Sequence, residues 1–382
     1  MVLPPAIRRG YSLRREPARA VAELHAAIDQ PDPGLIVFFC SSDFDLEALA
    51  AAIRDRFGER GVIGCTTAGE ITPAGYMHGS ITGFSMSAAD CRAVSELIPG
   101  LSDFQMVRGH EASERLVSAF MRDDRDLNPA DTFALLLTDG MSTNEEPLVA
   151  AIHQRLQSVP LLGGSAGDDL RLDRTHVYHR GRFHPDAALL TLVKTARPFR
   201  IFKCQHFVGS DTRMVVTQAD PARRVVIQIN AEPAGREYAR IAGLDMRQLT
   251  PMTFAENPVL VKVGGDYYVR SIQKLNDDGS LTFFCAIDEG VVFTLARRRD
   301  LIADLQGNFD AVRRELGPPD LVIGFDCILR SLEAERRQVK HIAGRIMAEN
   351  NVIGFGTYGE QLSAMHVNQT FTAIAFGAAR PG

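Results

Sequence analysis

Three short runs gather most of the residues in this chain that could bind or react. They are Gly61-Val62-Ile63-Gly64-Cys65-Thr66-Thr67-Ala68-Gly69-Glu70, Pro160-Leu161-Leu162-Gly163-Gly164-Ser165-Ala166-Gly167-Asp168 and Val352-Ile353-Gly354-Phe355-Gly356-Thr357-Tyr358-Gly359-Glu360. Each reads as two apolar residues, Gly, one or two variable residues, Ser or Thr, Ala or Tyr, Gly, and a carboxylate; the second is one residue shorter. Glycines so placed let the backbone take positive φ or let a partner approach closely. The turn frees N–H donors beside an acid that can accept from the local backbone. Such turns at the carboxyl ends of strands can face a ligand, and they can equally be the tight turns that start the next strand. Glu70, Asp168 and Glu360 are therefore candidate contacts. In the third copy Thr357, Tyr358 and Gln361, with Asn368 and Gln369 downstream, form a candidate polar wall; Tyr358 stands where the earlier copies have Ala68 and Ala166.

A second concentration is Thr138-Asp139-Gly140-Met141-Ser142-Thr143-Asn144-Glu145-Glu146. It leaves a strand, turns on Asp-Gly and enters a helix with polar caps and two acids, a crevice position in α/β topology. Asp139, Ser142 and Asn144 are its candidate ligand contacts.

Other chemistries find less support. No Gly-Lys-Ser/Thr follows any turn, so none is a phosphate loop. Gly163-Gly164-Ser165-Ala166-Gly167 matches the hydrolase elbow pattern, but the elbow needs a helix after the serine. Here Asp168-Asp169-Leu170-Arg171 leads toward a strand-like stretch, and no histidine is placed near Ser165 by the sequence. Six cysteines show no CxxC pairing and sit mostly inside apolar runs, as small buried hydrophobes of a reducing compartment. The reading is a non-enzyme in the cytoplasm. The arginine runs at Arg297-Arg298-Arg299, Arg313-Arg314 and Arg336-Arg337 read as solvated helix faces or as a docking face for an acidic partner.

The elements that must carry these residues repeat with them. Apolar runs Leu35–Cys40, Phe133–Thr138 and Leu321–Cys327 precede the turns, helical periods at 45–57, 145–156 and 333–349 come between, and β-rich runs at 80–86, 187–193 and 370–377 come after. The expected class is α/β, built of repeated β-α-β-turn-β units with mixed sheets. Residues 1–19 read as an arginine-bearing solvated leader, and 72–79 as a Gly/Pro loop. A polar break near 220–232 divides the chain into lobes over 34–225 and 226–378. At 382 residues, 45% hydrophobic and 23% charged with net charge -5, the chain has an ordinary globular composition. That balance gives no push toward nucleic acid or membrane.

GCTTAGE, the Asp-Gly-x-Ser-x-Asn-Glu-Glu turn, GGSAGD, Cys327 ahead of a charged helix, and GFGTYGE followed by HVNQT together resemble the FIST domain family. The resemblance implies a two-lobed sensory module that binds small ligands and has no catalytic activity. FKCQHF at Phe202–Phe207 and the ending HVNQTFTAIAFG are similar to the stand-alone NosP-type branch. That branch implies haem b, nitric oxide as the gas ligand and a separate histidine kinase as partner. A haem of this kind needs a neutral imidazole in an apolar pocket. His206, on a β-rich run by the lobe junction, is the first candidate iron ligand, followed by His366 and His78. The alternative ligand is an amino-acid-like metabolite.

Overall fold

In the computed structural model, which describes residues 6–58, 61–122 and 126–379, each apolar run becomes a central strand. The runs are continuous rather than alternating because both faces of each strand are covered. Pro33–Ser41 pairs in parallel with Val62–Thr67, Thr132–Thr138 with Leu161–Ser165, and Leu321–Cys327 with Val352–Thr357. Helices make the crossovers: Leu46–Phe57, Glu145–Leu156, and Ile328–Arg336 with Lys340–Glu349. A returning strand, Ile81–Ser87, Ala187–Thr195 or Phe371–Phe376, then lies antiparallel beside the first. These are the expected repeated units, and the architecture is mixed α/β.

Each sheet is completed from elsewhere in the chain. Ile7–Ser12, Cys91–Pro99 and Phe199–Cys204 flank the three returning strands. On the opposite side, a short hairpin beyond each turn crosses to a neighbouring unit. The hairpin Glu70–Thr72/Gly75–Met77 pairs with Val352–Thr357, Val177–His179/Arg182–His184 with Val62–Thr67, and Glu360–Leu362/Met365–Val367 with Leu161–Ser165. First lends to third, second to first, third to second. Three six-stranded sheets thus interlock around one centre. Alternate residues of the central strands (Val37, Phe39, Leu135, Leu137, Ile323, Phe325) fill that shared core. The residues between them, such as Phe38, Leu136 and Val322, pack under the helices.

Residues 207–298 form a fourth, eight-stranded sheet with its own core around Met214, Val216, Tyr238, Phe254, Phe283 and Phe293. It leaves the third unit after Phe199–Cys204 and returns at the helix Leu301–Leu316. The stretch 220–232, where the break was expected, contains the strand Val225–Ile229, which pairs with Phe207–Asp220.

Three expectations need correction. Within the described part of the leader, Ile7–Ser12 is an edge strand, with Gly10 so close to the helix Pro17–Ile28 that a Cβ would lie 2.4 Å from Ala27 Cβ. The Gly/Pro loop is the crossing hairpin at 70–77. The helix expected over 333–349 is two helices, separated at Gln338, whose φ of 57° belongs to the left-handed region and ends the first. Among the described residues no helix is long and apolar enough to cross a membrane.

Candidate functional site

The three turns meet one another at the centre. Ala68 N donates to Gly356 O at 2.8 Å, Gly356 N to Gly69 O at 2.7 Å, Gly167 N to Thr66 O at 3.1 Å, and Ser165 N to Gly359 O at 2.8 Å. Backbone must touch backbone here: a Cβ on Gly167 would lie 2.5 Å from Ala68 N, and one on Gly356 2.6 Å from Ala68 O. The acids tie the first and third turns to the strands that return from them. Glu70 accepts from Ser80 N, Ser80 Oγ and Thr67 Oγ1, and Glu360 accepts from Thr370 N and Oγ1. Burial pushes Glu70 up to about 7 against those hydrogen bonds, and pushes Glu360 well above the carboxylate range. Thr357 Oγ1 is spent on Ser165 O and Gly359 O, both at 2.7 Å.

Ligand-sized space lies beside this junction. A cavity of about 370 Å³ opens where the loop 140–143, the segment after Gly167, the fourth sheet, the start of the helix Ile328–Arg336 and the hairpin strand Met365–Val367 converge. Its apolar walls include Leu170, Leu172, Phe283, Phe284, Ile328 and Leu329, and Ser142, Tyr358, His366 and Asn368 supply polar groups. Burial first, then neighbouring Arg224 and Arg270 against Glu146, pushes His366 down to about 4, so its imidazole is neutral near pH 7. His366 Nδ1 and Asn368 Oδ1 are buried without a hydrogen-bond partner.

Arg224 clamps the cavity's edge. Its guanidinium donates to Phe284 O, Thr143 O, Glu145 Oε2 and Glu146 Oε2 at 2.7–2.8 Å, joining the fourth sheet to the start of the helix Glu145–Leu156. Burial raises the Glu145 carboxyl despite that arginine. The opposite edge is the segment after Gly167, in which Asp169, Leu170 and Leu172 take φ of 56°, 66° and 53°. Asp168 accepts from the N–H groups of Leu172, Asp173 and Arg174 and from the Tyr358 hydroxyl, which itself accepts from Leu170 N at 2.9 Å. Asp168 is thus the anchor of a strained loop.

Of the residues singled out from sequence, Ser142, Tyr358, His366 and Asn368 come together at the cavity. Asp139 and Asn144 lie just behind it, Asp139 accepting from Met141 N at 2.9 Å and Asn144 Nδ2 donating to Leu101 O at 2.7 Å. Gln361 and Gln369 are buried and donate to Ser165 Oγ and Ala255 O. His206 is elsewhere, fully buried with Nε2 2.8 Å from Glu333 Oε2. His78 is half-exposed beside Asp169 and Lys340, on an open crevice shared with Tyr76, His341 and Arg345. Ser165 is fully buried, accepts from Gln361 Nε2 and is followed by a loop. Arg224, Leu170, Leu172 and the Phe283–Phe284 pair carried no signal in the sequence, being single residues in ordinary strand and loop context.

Family models match nearly the whole chain: the FIST N domain over residues 34–232 and the FIST C domain over 234–363. A curated relative, "Uncharacterized protein MJ1623" of Methanocaldococcus jannaschii, is 20% identical over 362 residues, covering 82% of this chain and 67% of its own length. Among solved structures, a cyanuric acid hydrolase from A. caulinodans aligns over 98% of this chain and 99% of its own at TM-score 0.42 and 9% identity. A second cyanuric acid hydrolase aligns over 97% and 98% at TM-score 0.38 and 8% identity. Likenesses at these scores carry no conclusion about this chain. With both domains in sequence and the three motif turns locked together, the chain belongs to the FIST family, whose domains are sensors of signal transduction.

Proposed function

We propose that this protein senses a small molecule bound in the 370 Å³ cavity and reports its occupancy to a separate signalling protein, such as a histidine kinase, without catalysis. The observation that carries the reading is a pair of buried polar side chains with one unpartnered atom each, His366 Nδ1 and Asn368 Oδ1, at a wall otherwise largely apolar. A few polar groups set in an apolar recess are the usual make-up of a ligand site, and the volume lies at the small end of the range of about 300–1,000 Å³. A cytoplasmic site of action accords with six cysteines that are all free and buried. Leu329→Trp, which fills the recess, tests the assignment: a thermal-shift screen of metabolites should yield a stabilising compound with the wild type and lose it with the variant. A compound that stabilises both equally would place binding elsewhere.

A second reading, haem b with nitric oxide as the sensed gas, is favoured by one observation: His366 is a neutral imidazole on an apolar recess. His206 fits the iron poorly, because its Nε2 is engaged by Glu333 and it lines none of the described cavities. The recess as it stands is smaller than a porphyrin requires, so the small-molecule reading comes first. Haemin titration decides between them. A stoichiometric Soret band that is lost in His366→Ala would establish the haem reading, and its absence from the wild type would remove it.

A further inference from the structure

The crossing hairpins of the first and third units have the same register. Glu70 faces Met77 and Ile71 faces Tyr76 in one; Glu360 faces Val367 and Gln361 faces His366 in the other. Tyr76 therefore corresponds to His366, and His78 to Asn368. In the first hairpin the fold uses these places: Tyr76 donates to Asp326 Oδ2 at 2.6 Å, and His78 sits between Asp169 and Lys340. In the third hairpin His366 Nδ1 and Asn368 Oδ1 are left without partners, although both side chains are at least nine-tenths buried. Folding of the hairpin does not require this open pair, and leaving it open carries a desolvation cost.

The two side chains are neighbours. A Cβ on Gly359 would meet His366 Nε2 at 2.6 Å and Asn368 Nδ2 at 3.2 Å, so both lie over the same glycine of the third turn. A neutral imidazole and a carboxamide each offer both a donor and an acceptor. The acids nearby are held, since Glu145 and Glu146 both pair with Arg224, while Arg223 lines the recess from an exposed position at its rim and Arg270 donates to His366 O. An ammonium brought to this floor would be buried without a free counter-charge, which is costly. The lining includes the aromatic rings of Phe283 and Phe284 and the apolar side chains of Ile328 and Leu329.

We propose that the His366–Asn368 floor recognises a neutral, planar nitrogen heterocycle through a lactam- or imide-type edge, an N–H beside a C=O. This inference rests on the reading of the cavity as the ligand site. It separates the ligand from free amino acids, whose ammonium group the floor does not match.

Isothermal titration of the full chain with uracil and hypoxanthine tests it, with 1,3-dimethyluracil, glutamine and glutamate as comparison probes. Uracil or hypoxanthine should bind one to one. Methylation of the N–H groups, or Asn368→Ala or His366→Phe, should weaken binding by about tenfold or more, as for loss of a buried hydrogen-bonding partner. The methylated probe needs no variant, so the test stands even where a substitution disturbs folding. Failure of both lactams to bind, or equal binding of 1,3-dimethyluracil, would overturn the proposal. An amino acid that binds the wild type but not Leu329→Trp would overturn it while leaving the cavity as the site. A lactam bound equally well by Leu329→Trp would overturn the cavity reading itself.

Discussion

Tyr358→Phe should release the loop over the cavity while leaving the rest of the molecule as stable as before. The Tyr358 hydroxyl donates to Asp168 and accepts from the N–H groups of Leu170, at 2.9 Å, and Asp168, at 3.3 Å. Burial, then the neighbouring Asp168, keeps the phenol protonated by pushing its pKa up. Each net hydrogen bond contributes about 0.5–1.5 kcal/mol, and water replaces part of it at this half-exposed site. The loop also holds Asp169, Leu170 and Leu172 at positive φ, strain of order 1–3 kcal/mol per residue that opening would relieve. A loss of about 1–2 kcal/mol from the closed loop corresponds to a factor of roughly 5–30 in its opening equilibrium. Native-state amide exchange reads this directly: protection of Leu170, Leu172, Asp173 and Arg174 should fall by about that factor. Protection in the central strands Thr132–Thr138 and Leu321–Cys327 should not change. Unchanged loop exchange, or an equal loss in the central strands, would refute the latch. The anchor has a pH signature too. Hydrogen bonds from Tyr358 and the backbone amides outweigh burial and depress the Asp168 pKa. Its stabilisation is therefore present above the unfolded carboxyl value and is lost as pH falls through the folded one. Asp168→Asn should abolish the corresponding acid-induced loosening of the loop.

Further consequences concern stability. Burial raises Glu70 to about 7, so the folded state holds this proton where the unfolded state has released it; wild-type stability should fall between pH ~4.5 and ~7, by up to about 3 kcal/mol from this group. Urea unfolding of Glu70→Gln should show a flatter profile over that window, and an identical profile would contradict the assignment. Gly167→Ala places a Cβ 2.5 Å from Ala68 N and should cost about 1–3 kcal/mol or more by overpacking, read as a lower urea midpoint; no change would mean that the turns do not meet as described. Arg224→Met leaves the buried Glu145 and the partly buried Glu146 without their shared partner and should cost about 3 kcal/mol, at the lower end for a broken buried pair. Adding Glu145→Gln and Glu146→Gln should recover much of that loss in the same assay, and no recovery would deny the clamp its electrostatic origin.

The sequence made the repeated units legible because their central strands are buried on both faces, so LIVFFC, FALLLT and LVIGFDC stand out as largely apolar runs, interrupted only by Gly324 and the buried Asp326 and closed by Thr138 in the second. The turns were legible because they recur, but their glycines serve backbone contacts to turns some 100–290 residues away, and spacing cannot reveal such partners. The crossing hairpins were hidden for the same reason: Glu70–Thr72 and Gly75–Met77 are three residues each, and their sheet partner begins at Val352. Gln338 ends a helix without Gly or Pro, so no breaker announced it. At the site, the polar members Ser142, Tyr358, His366 and Asn368 could be singled out as unusual residues in motif context. Leu170, Leu172, Phe283 and Phe284 could not, since apolar residues look alike until the fold leaves space beside them. His206 drew notice by its place on a β-rich run, and only the folded chain supplies Glu333 as its partner.

The space beside His366 and Asn368 is the proposed sensory site. Amide exchange with mass-spectrometric readout, recorded with and without a low-molecular-mass cell extract, tests it without prior choice of ligand. Added protection confined to residues 140–144, 168–174, 282–286 and 365–368 is the expected result. Protection confined instead to the open crevice of Tyr76, Lys340 and Arg345, or none anywhere, would contradict it.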